Sequence, residues 1–293
     1  VLSGSLRTNN TSFGVRSLPL TTTGIGNVAF GDNTLPSNTI ASYNVAIGSS
    51  ALAVNTTGFS NVGVGSFTFL NNTTGFQSVA IGVNAARFNS TGYNNTSVGC
   101  VALRNNTEGI GNTAVGMSSL SITTGNNNTA IGLNSGVNIT TGNNNTAIGN
   151  DANVPNATGN NQVRIGNAAV TYAGVQVAWT VTSDKRLKSN IKDSDLGLDF
   201  IKQLRPVSYI RKNDESKKSE YGFIAQEVKE TLKNNGVTNS GIISEADDST
   251  MSVRYNDLIA PMVKALQEQQ KLIEDQQAII MKLQQKVDEL GKK

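Results

Sequence analysis

Glycine falls at positions 14, 31, 48, 65, 82, 99, 116, 132, 149 and 166, a spacing of 17 residues with one step of 16. No feature of the chain restricts its fold more. A strict period of this length means that each repeat is one supersecondary unit, unable to bury its own apolar side and completed by stacking on its neighbours. A second glycine series runs seven residues ahead of the first, at 24, 58, 75, 92, 109, 125, 142 and 159, with Ala41 as its exception. The one deletion lies between Gly116 and Gly125.

Each glycine of the first series closes a short motif, such as Asn27-Val28-Ala29-Phe30-Gly31, Asn44-Val45-Ala46-Ile47-Gly48 or Asn145-Thr146-Ala147-Ile148-Gly149. A small residue in the middle, flanked by β-branched or large apolar ones, reads as a five-residue strand with one narrow and one bulky face. Four residues after the glycine comes a second apolar position: Leu18, Leu35, Leu52, Phe69, Leu103 and Leu120. Two short strands and two glycine corners per repeat describe one coil of a parallel β-solenoid. About ten coils would rise roughly 48 Å. Asn27, Asn44, Asn61, Asn95, Asn112, Asn128 and Asn145 share one phase and are placed to stack as an amide ladder. The competing reading, a disordered Gly/Asn/Thr tract, does not account for strict phase and an apolar position in every repeat. A single coil this thin has little interior, so side-by-side association of chains, most simply as a trimer, is expected to supply the missing core. The Asn-Val-Ala-Ile-Gly units resemble the head repeats of trimeric autotransporter adhesins, which form parallel β-rolls, and the "NTAIG" repeats of phage tail-fibre proteins. The period here is longer than in those heads.

The character of the chain changes after residue 182. Residues 1–182 hold five of the 24 Lys and Arg residues and three of the 21 Asp and Glu residues, so nearly all the charge lies beyond them. A net charge of +3 gives no reason to expect nucleic acid as a partner. Histidine is absent, which excludes Ser-His-Asp and Cys-His catalysis and most zinc sites. The single cysteine, Cys100, reads as a small packed residue, and no metal or cofactor is expected. No apolar run approaches the ~20 residues that span a bilayer, so membrane insertion is not expected either. Opening on Val1 without a signal-like segment, the sequence reads as a piece of a longer chain.

Organisation is read as follows: a repeat solenoid over 1–170, a closing strand and junction over 171–182, a compact α+β segment over 183–256, and a heptad helix over 257–293. Tyr172, Val175, Val177 and Trp179 carry the β-propensity of the closing strand. In the α+β segment the pattern gives a helix over 195–204 and strands over 207–211 and 220–224. It adds a helix over 226–232 and a further strand pair, 241–243 with 251–255. Glu227 and Glu230 read as a solvated helix face. From Ile259 the apolar residues follow heptads, with Ile259, Leu266, Ile273, Ile280 and Val287 at a, and Met262, Gln269, Gln276, Leu283 and Leu290 at d. β-branched residues at most a positions with two polar d positions fit a trimeric coiled coil.

At the junction, Ser183 and Lys188 stand five apart in Ser183-Asp184-Lys185-Arg186-Leu187-Lys188-Ser189-Asn190-Ile191. Without histidine, a serine nucleophile can use a neutral lysine as its base. A lysine in water is protonated at neutral pH, and burial beside Arg186 or an apolar wall would lower its pKa. Residues five apart lie about 140° apart on a helix and on opposite faces of a strand, so this pair can meet only across an irregular turn. On the residues alone, the reading of Ser183 as a cap or turn residue and of Lys188 as a solvated side chain stands beside the catalytic one.

The same run resembles the opening of the intramolecular chaperone auto-processing domain, peptidase family S74. Further segments carry the resemblance: Leu204-Arg205-Pro206-Val207-Ser208-Tyr209, Tyr221-Gly222-Phe223-Ile224-Ala225-Gln226-Glu227-Val228 and Tyr255-Asn256-Asp257-Leu258, extending the likeness over 183–293. The resemblance implies that Ser183 is the nucleophile, Lys188 the base and Thr182–Ser183 the scissile bond, with Asp184 and Arg186 in support. It also implies a homotrimeric fibre or spike, on a virion or cell surface, whose C-terminal domain directs folding and then releases itself. Two other functions are weighed. One is a bacterial surface adhesin whose repeats bind a host glycan or receptor, with the C-terminal part only a trimerisation domain. The other is a polysaccharide depolymerase, which needs clustered carboxylates; Asp32, Glu108 and Asp151 lie in different coils.

Overall fold

The computed structural model describes residues 9–20, 23–212 and 214–291. The chain divides after Val170 into two compact units.

The first unit is a single parallel sheet of ten three-residue strands: β1 (Thr11–Phe13), β2 (Val28–Phe30), β3 (Val45–Ile47), β4 (Val62–Val64), β5 (Val79–Ile81), β6 (Thr96–Val98), β7 (Thr113–Val115), β8 (Thr129–Ile131), β9 (Thr146–Ile148) and β10 (Val163–Ile165). Their spatial order equals their sequence order. Every strand pairs in direct register with the next, Ala29 opposite Ala46 and Ala130 opposite Ala147. This is a β-solenoid, as the period requires.

The cross-section differs from the expected one in two respects. Each coil contributes one strand, of three residues rather than five. The second apolar position is a turn: Leu35, Leu52, Phe69, Leu103 and Leu120 all have φ between 46° and 53°. Left-handed backbone at a large residue is unfavourable, but it aims these side chains at the strand's inner face, where all five are fully buried. The interior is so thin that it accepts only a small residue opposite them, and Ala29, Ala46, Ala80, Ala114, Ala130 and Ala147 are likewise inaccessible. Size is traded between neighbours. Ala86 takes the leucine place in the coil after Phe69, and both belong to one cluster. At Gly136 an added Cβ would lie 3.0 Å from Leu120 and 3.1 Å from Ile139.

The motif glycine is required by position as well as by φ. At Gly82 φ is +126°, and a Cβ would stand 2.6 Å from the backbone of Gly99 in the next coil. Two asparagine columns satisfy the buried polar groups. In the expected column the links run through the backbone: Asn44 N donates to Asn27 Oδ1 (3.0 Å), Asn61 N to Asn44 Oδ1 (3.0 Å) and Asn112 N to Asn95 Oδ1 (2.9 Å). A second column, unrecognised in the sequence, links amide to amide. Asn55 Nδ2 donates to Asn38 Oδ1 (3.1 Å), Asn72 to Asn55 (2.8 Å), Asn89 to Asn72 (2.8 Å) and Asn106 to Asn89 (2.9 Å). Each also donates to a second-series glycine carbonyl, as Asn72 does to Gly75 O (3.0 Å). The column stops where Thr123 replaces asparagine beside the one-residue deletion, leaving Asn106 Oδ1 buried without a partner.

No strand forms over 171–182. Tyr172, Val177 and Trp179 stand 85%, 77% and 76% exposed, so no packed surface supports the β-propensity of this segment. The second unit contains helix α1 (Leu198–Gln203), the antiparallel pair β11 (Val207–Tyr209) and β12 (Glu220–Gly222), helix α2 (Ala225–Asn234), the pair β13 (Ile243–Glu245) and β14 (Met251–Val253), and helix α3 (Ile259–Leu290). Its core is Leu196, Phe200, Val228, Leu232, Ile242 and Leu258. Pro206 and Arg205 follow α1 and end it, since the residue before proline avoids helical backbone. α3 is 32 residues long, about 48 Å at 1.5 Å per residue. Among the described residues no helix is long and apolar enough to cross a membrane.

The second column gives a direct stability test. Asn72→Ala removes the donors to Asn55 and Gly75 and the acceptor for Asn89. At about 1 kcal/mol net per bond, a loss of about 2–3 kcal/mol is expected in urea unfolding, larger than for any substitution of an exposed asparagine in the array.

Candidate functional site

Ser183 and Lys188 meet. Lys188 Nζ donates to Ser183 Oγ at 2.7 Å. The irregular turn that this requires is a 3-10 turn over Lys185–Leu187, bounded by extended backbone at Asp184 (ψ 132°) and Lys188 (ψ 144°). Leu187 N donates to Asp184 O and Lys188 N to Lys185 O, both at 3.1 Å, which folds the five-residue span back on itself.

Asp184 builds this turn. Its Oδ1 accepts from Arg186 N at 2.8 Å, and the Arg186 guanidinium returns to the carboxylate through Nε (3.1 Å) and Nη2 (2.7 Å). The guanidinium hydrogen bond, followed by the Arg186 N–H, holds the Asp184 carboxyl below its ordinary pKa, and the carboxylate raises that of Arg186. The guanidinium expected beside the lysine is thus engaged by Asp184. Serine, lysine and the Thr182–Ser183 bond are all exposed in the single chain. The described residues contain no cluster of metal-binding side chains.

The other segments singled out in the sequence come together in the second unit. Arg205, two residues past the end of α1, pairs with Glu227 on α2, its Nε donating to Oε2 at 3.0 Å, so Glu227 is not simply solvated. The pair lowers the Glu227 carboxyl pKa, chiefly through the guanidinium hydrogen bond. Phe223 N donates to the Tyr255 hydroxyl at 3.1 Å while the two rings stack at 6.1 Å. That hydroxyl needs Gly222, where a Cβ would lie 2.2 Å from it. Motifs far apart in the sequence therefore close around one small core.

The match to known proteins begins at the nucleophile candidate. Residues 183–237 match peptidase family S74, the chaperone of endosialidase. The S74 segment thus runs from Ser183 through α2, and the residues after 237, which share the sequence resemblance, lie outside it. S74 peptidases are self-cleaving, and the segment accordingly marks an intramolecular chaperone domain. Neither a curated protein nor a solved structure matches the chain significantly.

The heptad positions lie open. On α3 only Pro261 and Ala265 are buried. Ile259, Met262, Leu266, Ile273, Ile280, Leu283, Val287 and Leu290 are all exposed, Leu266 by 64% and Leu290 by 71%. The first turns pack on their own unit through a side of the helix that leaves the a and d rows free. Sequence reasoning missed the cap provided by Asp184 and a contact from Glu268 to Leu198. Asp-x-Arg ahead of a short turn was a legible sign of the first, whereas a contact spanning 70 residues leaves no local trace.

The turn should depend on pH with a definite sign. A carboxyl whose folded pKa is depressed stabilises at pH values above its unfolded pKa and loses that contribution as pH falls through the folded one. Protection of the Arg186 amide, measured by NMR hydrogen exchange, should persist at neutral pH and fade below the usual carboxylate range. In Asp184→Ala it should be absent throughout.

Proposed function

We propose that this chain is a subunit of a homotrimeric surface fibre, of the phage tail-fibre or spike kind, whose S74 segment guides trimer folding and then cuts itself off at Thr182–Ser183. The 2.7 Å contact between Lys188 Nζ and Ser183 Oγ, at the first residue of the S74 match, carries the reading.

The chemistry needs only these residues and water. Ser183 Oγ attacks the Thr182 carbonyl carbon, while Lys188 Nζ, deprotonated, accepts the hydroxyl proton. The C–N bond breaks, the proton passes to the departing Ser183 amine, and Thr182 is left as an ester on Oγ. Water then hydrolyses that ester, releasing Thr182 as a carboxylate and restoring the serine hydroxyl. Each chain reacts once.

A lysine in solvent is protonated at neutral pH, and desolvation frees its lone pair. Because both dyad side chains face solvent in the single chain, neighbouring chains supply the cover that activates them. Two open surfaces favour such neighbours. One is the heptad row of α3. The other is the outer face of the sheet, where Phe13, Phe30, Ile47, Ile81, Ile131 and Ile148 stand 39–48% exposed in one column. All-parallel sheets are covered on both faces. Three copies of the same column, with the same rise per coil, cover one another in register.

Intact mass under denaturing conditions tests the cut. The wild-type chain should give two fragments meeting between Thr182 and Ser183, and both Ser183→Ala and Lys188→Met should remain whole. A wild-type chain that stays whole removes the self-cleavage reading and leaves a trimerisation domain.

A further inference from the structure

The dyad segment first gains a buried hold on its unit at the start of α1. Between Ser183 and Asp195 no residue is buried, and the first buried residues after the dyad are Leu196 and Gly197, at the start of α1. α1 has six residues, and its N-cap, Gly197, has no side chain to accept a hydrogen bond from the first-turn amides. Its first amide is bonded from elsewhere: Leu198 N donates to Glu268 Oε2 at 2.7 Å. Gly197 leaves room for it: an added Cβ would lie 2.3 Å from Oε2 and 2.7 Å from Oε1, so the carboxylate would have to shift. Lys264 Nζ lies 3.7 Å from Oε1, one turn back on α3. Glu268 follows Pro261 and Ala265 at the i, i+4 and i+7 spacing of a single helix side, and those two are the only buried residues of α3.

We infer that Glu268 is a positioning residue that couples formation of α3 to placement of the dyad loop. This rests on the self-cleavage reading above. Glu268 is the last residue of α3 with any cover from its own unit, and every residue from 269 to 290 is exposed. There the helix depends on pairing of its a and d rows with partner chains, because an amphipathic helix gains most of its stability from packing. Once paired, it presents the carboxylate to Leu198 N and fixes the point from which the dyad segment extends. Unpaired, it frays from its uncovered end and holds that contact less firmly, and α1 is too short to hold its first turn alone. Cleavage then follows assembly because pairing of α3 is what keeps the anchor in place.

Full-length Glu268→Ala, Glu268→Gln and Gly197→Ala are compared with wild type by cleavage rate, at trimer fractions matched by sedimentation. The same substitutions in a Ser183→Ala background are compared by hydrogen exchange at the Leu198 amide. Loss of the cap should slow cleavage roughly tenfold in Glu268→Ala and Gly197→Ala with assembly unchanged, and should deprotect Leu198. Glu268→Gln keeps an acceptor and should recover most of both. Wild-type rates in Glu268→Ala, or a glutamine variant as slow as alanine, overturn the inference. If wild type itself stays uncut, the self-cleavage reading fails and with it any service of Glu268 to cleavage. Exchange then decides the anchor alone, and unchanged Leu198 protection in Glu268→Ala overturns that too.

Discussion

The array depends on in-register stacking of identical coils. With strands of three residues, no coil holds itself, and each carries its apolar and polar groups to one height where the next coil must meet them. The asparagine columns make that demand strict. Asn55, Asn72 and Asn89 each bond the amide before and the amide after, so a slip leaves buried donors and acceptors unpaired together. The glycines narrow it further, because Gly82 lies against Gly99 at a distance that admits no side chain. Such a structure is stable when aligned and offers almost nothing until it is. Because its coils are nearly identical, a slip by one whole coil loses little, so chains that associate side by side face many near-degenerate registers.

A separate device for alignment therefore has a physical purpose. A coiled coil forms from local contacts and brings attached chains to effective concentrations around the millimolar range. The second unit divides its long helix accordingly. Pro261, Ala265 and Glu268 serve the unit's own core and the start of α1, while the heptad rows stay open. Under the proposed cleavage, persistence of the assembled array becomes a question of unfolding rate, since the route back to separate chains is lost.

Much of this was legible in the sequence because it is periodic or strongly local. The coil number, the strand positions and the extent of α3 follow from repeats that any tertiary structure must respect. The spacing by itself did not say whether Ser183 and Lys188 meet; Asp184 holds the turn that brings them together. The second strand of each coil was misjudged because Leu35 and its equivalents, apolar and evenly phased, give no sign of their left-handed backbone. The closing strand does not form: the β-propensity of Val175, Val177 and Trp179 describes how a side chain fits a half-buried pleated surface, and here all three stand exposed. The Asn38–Asn106 column was visible as a period of 17 and passed over, since asparagine is common at every phase of the array.

The central claim is that cleavage belongs to the assembled trimer. The most direct test follows cleavage and oligomeric state together, by intact mass and sedimentation, in wild type and in a chain carrying Ile273→Asp and Ile280→Asp. The account predicts first-order cleavage in trimeric wild type and none in the monomeric variant. A monomer that cuts itself at the wild-type rate would contradict it.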